Sequence, residues 1–229
     1  MLIILAVLPP LYLIYRIYQM DSIEKEPRGL MLGLFIFGAL STIPAGLLEH
    51  FGESWIISGL MNGMPKTAKL FVMFFFIVAW AEEGCKHFFL KRKTWNHPAF
   101  DYCFDAVVYA VVVSLGFAAL ENIFYVYEYG IQGAVMRAVT AIPGHCIFGI
   151  FMGYYYGQAK MAQRRGQVGL EKRMQFNSLF IPIILHGFYD FAASMGDDLW
   201  VIGFFVYVII LDVIAIKSIK KYAAQDMRI

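Results

Sequence analysis

Two adjacent glutamates, Glu82 and Glu83, lie inside an apolar stretch that is long enough to cross a membrane. The stretch runs from Leu70 to Leu90 and reads LFVMFFFIVAWAEEGCKHFFL. A carboxylate in hydrocarbon costs roughly 2.5–3.5 kcal/mol on insertion scales, so two in a row indicate a partner, a water-filled cavity or chemistry. Lys86 lies one helical turn after Glu82 and is correctly spaced to pair with it.

Further ionisable side chains lie inside three other apolar stretches. They are Glu121 in SLGFAALENIFYVY, His145 in AIPGHCIFGIFMGYYYG, and His186 and Asp190 in FIPIILHGFYDFAASMG. His186 and Asp190 are four residues apart and share one helix face, so the carboxylate can fix the orientation and tautomer of the imidazole. An imidazole oriented in this way is typical of catalytic and metal-binding histidines. Because the residues between them are nearly all apolar, we expect these side chains to share one polar pocket.

Other acidic positions are given no catalytic role. Asp105 begins an apolar stretch, where it could simply face water. The segment EHFGE, from Glu49 to Glu53, falls at the end of an apolar stretch, and we interpret it as part of the rim. The sequence contains no HExxH, GxSxG or GxGD signature, which argues against the zinc-protease helix, serine chemistry and that form of aspartyl chemistry.

The composition is that of a polytopic membrane protein. Of the 229 residues, 60% are hydrophobic and 16% are charged, against about 25% charged in soluble domains. The net charge of +2 gives no argument for nucleic-acid binding. We predict an all-α transmembrane helical bundle of about seven spans, with residues 1–229 forming a single domain and a motif-bearing core at about 68–217. The seven apolar stretches are 1–18, 30–50, 68–90, 104–126, 136–158, 176–196 and 198–217.

Basic residues predict the orientation of the bundle. Fifteen of the 19 Lys and Arg residues fall on alternate connections and on the C-terminal tail, whereas the other side carries Lys66, Lys69 and Arg137. Because basic segments resist translocation, we expect the N-terminus outside and the C-terminus in the cytoplasm. Residues 51–67 are expected either to lie flat in the membrane interface or to form a plain loop.

Helix packing and depth give two further expectations. Gly149, Gly153 and Gly157 repeat every four residues, a pattern that favours close approach of two helix backbones. Counting about 1.5 Å per residue from the start of its span places Glu82 about 18 Å deep, somewhat past the bilayer centre. Aligning it with the other polar residues therefore requires helix tilt or a break near Gly84.

With these residues in place, the pattern resembles the PrsW family of bacterial membrane proteases, relatives of the CAAX prenyl proteases and bacteriocin-processing enzymes. The resemblance covers about residues 70–217. The broader superfamily has EExxxR where this chain has Lys86 and His87, and a His where it has Glu121; both departures fit PrsW better than a prenyl protease. The matching motifs are EEGCK (Glu82 to Lys86), FAALE (Phe117 to Glu121), His145 in its own span, and HGFYD (His186 to Asp190).

The resemblance implies an endopeptidase in a bacterial cell membrane that acts in a stress response. It implies that the enzyme makes the first, extracytoplasmic cut in a single-pass anti-sigma factor or a similar membrane protein. The expected partners are therefore this substrate and the lipid bilayer, with no nucleic acid. The residues expected to carry catalysis are Glu82, Glu83, Glu121, His145, His186 and Asp190, with Lys86 in a supporting role.

Two mechanisms remain open for the hydrolysis. In one, Glu82 is the general base that activates water, and His186, oriented by Asp190, donates to the oxyanion or the leaving group. In the other, Glu121, His145 and His186 bind Zn²⁺ through three N/O ligands and leave a fourth position open. The family label of metalloprotease is compatible with the second.

Two rival functions use the same residues differently. A proton- or ion-coupled transporter would also carry intramembrane Glu, His, Asp and Lys, although such proteins usually show internal repeats, and none is visible in this sequence. A catalytically inactive scaffold would bind a partner span through the glycine face and would tolerate the loss of Glu82.

Overall fold

The computed structural model describes residues 2–55 and 63–229. Helices make up most of this part of the chain, which contains no strand beyond an isolated bridge between Tyr102 and Arg228. The predicted fold class, an all-α transmembrane bundle, is confirmed. The helices are α1 (Leu2–Met20), α2 (Arg28–Leu40), α3 (Thr42–Trp55), α4 (Lys66–Val72), α5 (Ala79–Thr94), α6 (Asp105–Val139), α7 (Ala141–Arg164), α8 (Val168–Met195) and α9 (Asp198–Ala224), with a π-helical segment at Met73–Val78.

Five stretches of the described chain are long and apolar enough to cross a membrane. One of them has 60 residues and contains both α6 and α7, so these stretches carry six helical spans. The stretches are Ile3–Met20, Arg28–Ser54, Asp105–Arg164, Val168–Met195 and Asp198–Ala224. Of the segment predicted to be interfacial or a loop, residues 56–62 lie outside the described residues, so that prediction remains open.

The predicted third span, 68–90, is built from α4, the π-helical segment and α5. It is absent from the five apolar stretches because its longest α-helix, α5, has 16 residues and carries several charges. No break occurs at Gly84, which lies inside α5. The interruption is instead the π-helical segment, a local widening of the helix that often accompanies functional sites.

The predicted second span is divided into α2 and α3 at Ser41. The Ser41 hydroxyl donates to the carbonyl of Gly38 at 2.6 Å, and the Thr42 hydroxyl donates to that of Ala39 at 2.8 Å. Pro44 follows and provides no backbone N–H for the helix. Hydroxyl groups that bond back to the preceding turn, together with proline, bend or end helices.

The first half of α6 is the centre of the bundle. Its residues are buried without interruption from Asp105 to Ala119, because α1, α2 and α7 pack around it. The glycine repeat of α7 faces this helix, as its spacing predicted. A Cβ at Gly153 would lie 2.4 Å from the Cα of Val107, and one at Gly157 would lie 2.6 Å from the carbonyl oxygen of Cys103.

Replacing Gly153 with alanine is expected to destabilise the protein. The added methyl would meet the α6 backbone, which cannot move aside as a side chain can, and overpacking of this kind costs about 1–3 kcal/mol. Thermal unfolding in detergent measures the effect. Gly203→Ala on α9 is the matched control, because a Cβ there meets nothing within 4 Å and alanine favours helix. Equal unfolding temperatures for the two variants would contradict the close α6–α7 contact.

Candidate active site

Five of the predicted site residues line one cavity of about 680 Å³ inside the bundle. These residues come from four different helices, α5, α6, α7 and α8. The cavity therefore corresponds to the polar pocket that the sequence predicted residues of separate spans to share. Glu83 and Lys86 are fully buried and do not line it. The five lining residues are Glu82, Glu121, His145, His186 and Asp190.

The Lys86 ammonium lies at the centre of the polar cluster. It donates to Glu82 Oε2 at 2.9 Å and to Glu83 Oε1 at 2.8 Å, and it lies 3.1 Å from Nδ1 of His145. These contacts use all three N–H donors of a lysine. The ring of Phe117 lies over the ammonium, with its centroid 4.0 Å from Nζ. Because an ammonium only donates, His145 Nδ1 must accept, and Nε2 carries the ring proton.

Glu121 receives two donors on one oxygen. His145 Nε2 lies 3.0 Å from Glu121 Oε2, and Arg137 Nη2 donates to the same oxygen at 2.5 Å. The guanidinium is held further by Asn122 Oδ1, 3.0 Å from Nε, and by the ring of Tyr125, whose centroid lies 3.9 Å from Cζ. The carboxylate of Glu121 therefore joins the imidazole to a cation at the cavity wall.

A turn at Gly130 makes the contact between Arg137 and Glu121 possible. Both residues belong to α6, and at 16 residues apart they would be separated by about 24 Å in a straight helix. Gly130 has φ 68° and ψ −155°, a conformation that is essentially restricted to glycine. The chain folds back there, so Arg137 reaches the cavity. Arg137 is not among the site residues predicted from the sequence, since no local sequence pattern indicates this reversal.

Each ring nitrogen of His186 lies beside a carboxylate. Nδ1 lies 2.9 Å from Glu83 Oε1, while Nε2 lies 3.2 Å from Asp190 Oδ2 and 3.9 Å from Glu82 Oε2. The pair with Asp190 that the four-residue spacing predicted is therefore present. An imidazolium, which has an N–H on each nitrogen, satisfies both close contacts.

Glu49 on α3, which the sequence placed at the rim without a catalytic role, also lines the cavity. Glu49 falls at the end of an apolar stretch, and the packing of α3 against α5 cannot be predicted from the sequence. The π-helical segment reaches the site as well. A Cβ at Gly187 would lie 2.8 Å from Phe75 Cδ1, so the segment packs directly on α8 beside His186.

Comparisons with known proteins agree on one family. The family described as PrsW family intramembrane metalloprotease matches residues 26–216. A relative named Protease PrsW from Oceanobacillus iheyensis is 34% identical over 216 residues, covering 94% of this chain and 93% of the relative. Relatives of the same name are 32% identical in Shouchella clausii, over 96% of each chain, and 28% identical in Bacillus subtilis, over 97% of this chain and 95% of the relative. No solved structure gives a significant match.

The residues predicted to bind Zn²⁺ do not converge as ligands. His145 uses one ring nitrogen on Glu121 and the other on the lysine ammonium, and His186 directs both nitrogens at carboxylates. A histidine binds a metal through a free lone pair on one ring nitrogen. In these contacts neither imidazole has a free lone pair that could bind a metal ion together with Glu121.

A different cluster of possible metal-ligand atoms lies near the cavity, and the Lys86 ammonium already occupies it. Donor atoms of Glu82, Glu83 and His145 lie within 4.8 Å of one another, which is close enough to share one ion. The Lys86 ammonium contacts all three of them at 2.8–3.1 Å. An ammonium and a metal ion cannot occupy the same point, so this donor set does not fit a metal while Lys86 holds its position.

The Lys86→Met substitution is expected to destabilise the protein by about 3–5 kcal/mol, because it leaves buried carboxylates without their cation. In the double variant with Glu83→Gln one of those charges is also removed, so the loss should fall short of the sum by about 0.5–3 kcal/mol. Unfolding of the four proteins in detergent measures this coupling. Arg92→Met, at an exposed position of the same helix, is the control and should change stability by less than about 0.5 kcal/mol. Strict additivity would show that Lys86 and Glu83 are not partners.

Proposed function

This chain belongs to the PrsW family and is a membrane protease, and we propose that it hydrolyses a peptide bond with a water activated by Glu82 and without a metal ion. We further propose that the bond lies on the extracytoplasmic side of a single-pass membrane protein, an anti-sigma factor or a protein like it. Membership of a protease family supports peptide hydrolysis over the two rival functions, a transporter and an inactive scaffold. The position of Glu82 supports the choice of base.

The main support for Glu82 as the base is that the two adjacent glutamates have different environments. Glu82 lines the cavity, whereas Glu83 is fully buried and accepts from both Lys86 and His186 on one oxygen. A general base must lie within hydrogen-bond reach of the water that it deprotonates. Glu82 meets this requirement and Glu83 does not. Glu83 is therefore a positioning residue that fixes the lysine and the imidazole.

The hydrolysis follows from these contacts in two steps. Glu82 takes a proton from a water in the cavity, and the resulting hydroxide adds to the carbonyl carbon of the peptide bond, leaving negative charge on the carbonyl oxygen. When the C–N bond breaks, His186 as imidazolium gives a proton to the departing amine. The products are a carboxylic acid and an amine. Asp190 and Glu83 hold the imidazole in the orientation that this transfer requires.

Arg137 is the donor best placed for the developing oxyanion. Arg137 lines the cavity, and its guanidinium has five N–H groups. One N–H on Nε donates to Asn122 and one on Nη2 donates to Glu121, so three N–H groups have no partner in these contacts. Preorganised donors aimed at a developing negative charge supply a large part of the rate enhancement in many enzymes. Glu121 keeps the guanidinium in place and neutralises it only partly, since the same carboxylate also accepts from His145.

Glu82 needs no metal ion in this mechanism, because the Lys86 ammonium already occupies the cluster of donor atoms formed by Glu82, Glu83 and His145. Lys86 supplies there the positive charge that would otherwise come from an ion, and it stabilises two adjacent carboxylates in the interior. The family description contains the word metalloprotease, and the donor atoms of this chain do not support that part of it.

The cavity suits a segment of polypeptide that leaves the membrane. Apart from its ionisable residues, much of the lining is aromatic or aliphatic, as with Phe74, Val78 and Phe124. With the N-terminus outside, as the basic residues predict, Glu121 and His145 fall in the outer half of the membrane. A substrate would then enter from the extracytoplasmic side.

The substrate and the base can be tested together by quantitative N-terminal proteomics. Membranes from cells that express wild type or Glu82→Gln at matched levels are compared. New N-termini on extracytoplasmic juxtamembrane segments are expected with the wild type alone, because glutamine cannot accept the proton from water.

Glu53→Gln is the control for this experiment, since Glu53 is exposed at the end of α3 and should not affect cleavage. Thermal unfolding would show that all three proteins are folded. The same new N-termini from Glu82→Gln would refute the assignment of the base, and new N-termini confined to cytoplasmic segments would refute the proposed side of cleavage.

A further inference from the structure

A second group of buried carboxylates lies at the opposite end of the central helix from the cavity. Asp105 begins α6, and Glu121 lies 16 residues later, about 24 Å along a helix. Asp21 and Glu26, from the connection between α1 and α2, lie beside Asp105, and one oxygen from each carboxylate lies within 4.8 Å of the others. All three residues are at most 2% exposed, so Asp105 does not face water. The α1–α2 connection covers it.

Each of these carboxylates has a buried oxygen without a hydrogen-bond partner. The three atoms are Asp21 Oδ2, Glu26 Oε1 and Asp105 Oδ1. The second oxygens of two of them are engaged. Asp105 Oδ2 accepts two backbone N–H groups at 3.1 and 2.7 Å, and Glu26 Oε2 accepts from the Tyr109 hydroxyl. Unpartnered buried oxygens are unusual in native structures, and three in one place point to a missing ligand.

Among the described residues, no basic side chain forms an ion pair with this cluster. None of their Lys, Arg or His nitrogens lies within 4.0 Å of the three carboxylates. Lys25, in the same connection, donates instead to the main-chain carbonyl of Tyr18 at 2.7 Å and to that of Asp21.

We propose that Asp21, Glu26 and Asp105 bind one hard divalent cation, Mg²⁺, Ca²⁺ or Mn²⁺, at the end of the bundle predicted to face the cytoplasm. The ligands are all carboxylate oxygens, which these ions prefer. Oxygens up to 4.8 Å apart can surround an ion that binds each of them at about 2.0–2.6 Å. A proton shared between two carboxylates would satisfy at most two of the free oxygens, whereas one cation could bind an oxygen of each of the three carboxylates.

The ion would join parts of the chain that are distant in sequence. The C-terminal tail packs beside the start of α6, where Asp226 Oδ1 accepts from the backbone N–H of Phe104 at 2.8 Å. The backbone N–H of Ile229 donates to the carbonyl of Asp101 at 2.6 Å. A cation here would therefore hold the α1–α2 connection on the start of α6, beside the tail, and would stabilise the fold without taking part in hydrolysis.

The test is calorimetric titration of the full chain in detergent, first freed of divalent ions by a chelator, with Mg²⁺, Ca²⁺ and Mn²⁺ in turn. The expected result is one bound ion per chain for at least one of them, with a dissociation constant no weaker than about 1 mM, together with a higher unfolding temperature. Asp21→Asn and Glu26→Gln should each weaken binding by at least about tenfold. Asp105 is left unchanged because it also caps backbone N–H groups.

Two further variants make the outcome decisive. Glu24→Gln removes an exposed acid from the same connection, and Glu82→Gln removes one from the cavity; both should bind the ion as the wild type does. No binding by the wild type up to about 10 mM of any of the three ions would overturn the proposal. Binding that Glu82→Gln abolishes, or that Asp21→Asn and Glu26→Gln leave unchanged, would also overturn it. If one carboxylate variant does not fold, the other decides.

Discussion

A buried lysine ammonium surrounded by two carboxylates and an imidazole is the interaction on which the rest of the site depends. Lys86 lies within 2.8–3.1 Å of Glu82, Glu83 and His145 and has no donor left over. Two adjacent carboxylates in an apolar interior would otherwise be too costly to keep ionised. The ammonium therefore makes the glutamate pair possible, and its contact with Nδ1 of His145 also fixes the tautomer of that imidazole.

The helices around this cluster are arranged to bring distant charges to it. The glycines of α7 allow the backbones of α6 and α7 to approach closely, so His145 faces α6. The turn at Gly130 folds the end of α6 back and places Arg137 on Glu121. At the other end of the same helix, Asp105 and its neighbours form a separate acidic cluster. One central helix thus carries the candidate hydrolytic site at one end and a proposed cation site at the other.

Much of this could be predicted from the sequence, because membranes penalise polar groups so strongly that each exception is informative. The pocket shared by Glu82, Glu121, His145 and His186 follows from that rule, and the pairing of His186 with Asp190 follows from helical spacing. Arg137 could not be predicted, since its role depends on a chain reversal. Nor could the different environments of Glu82 and Glu83, because two neighbours in a helix point in different directions and only packing decides which of them meets the cavity.

Transition-metal content measured alongside proteolytic activity tests most directly whether Lys86, and not a metal, holds the donor cluster. Purified protein would be analysed for zinc, manganese, iron and cobalt and assayed on its substrate before and after treatment with 1,10-phenanthroline. The expected result is full activity with far less than one transition-metal ion per chain and no effect of the chelator. One bound ion per chain, whose removal abolishes cleavage and whose return restores it, would contradict the account.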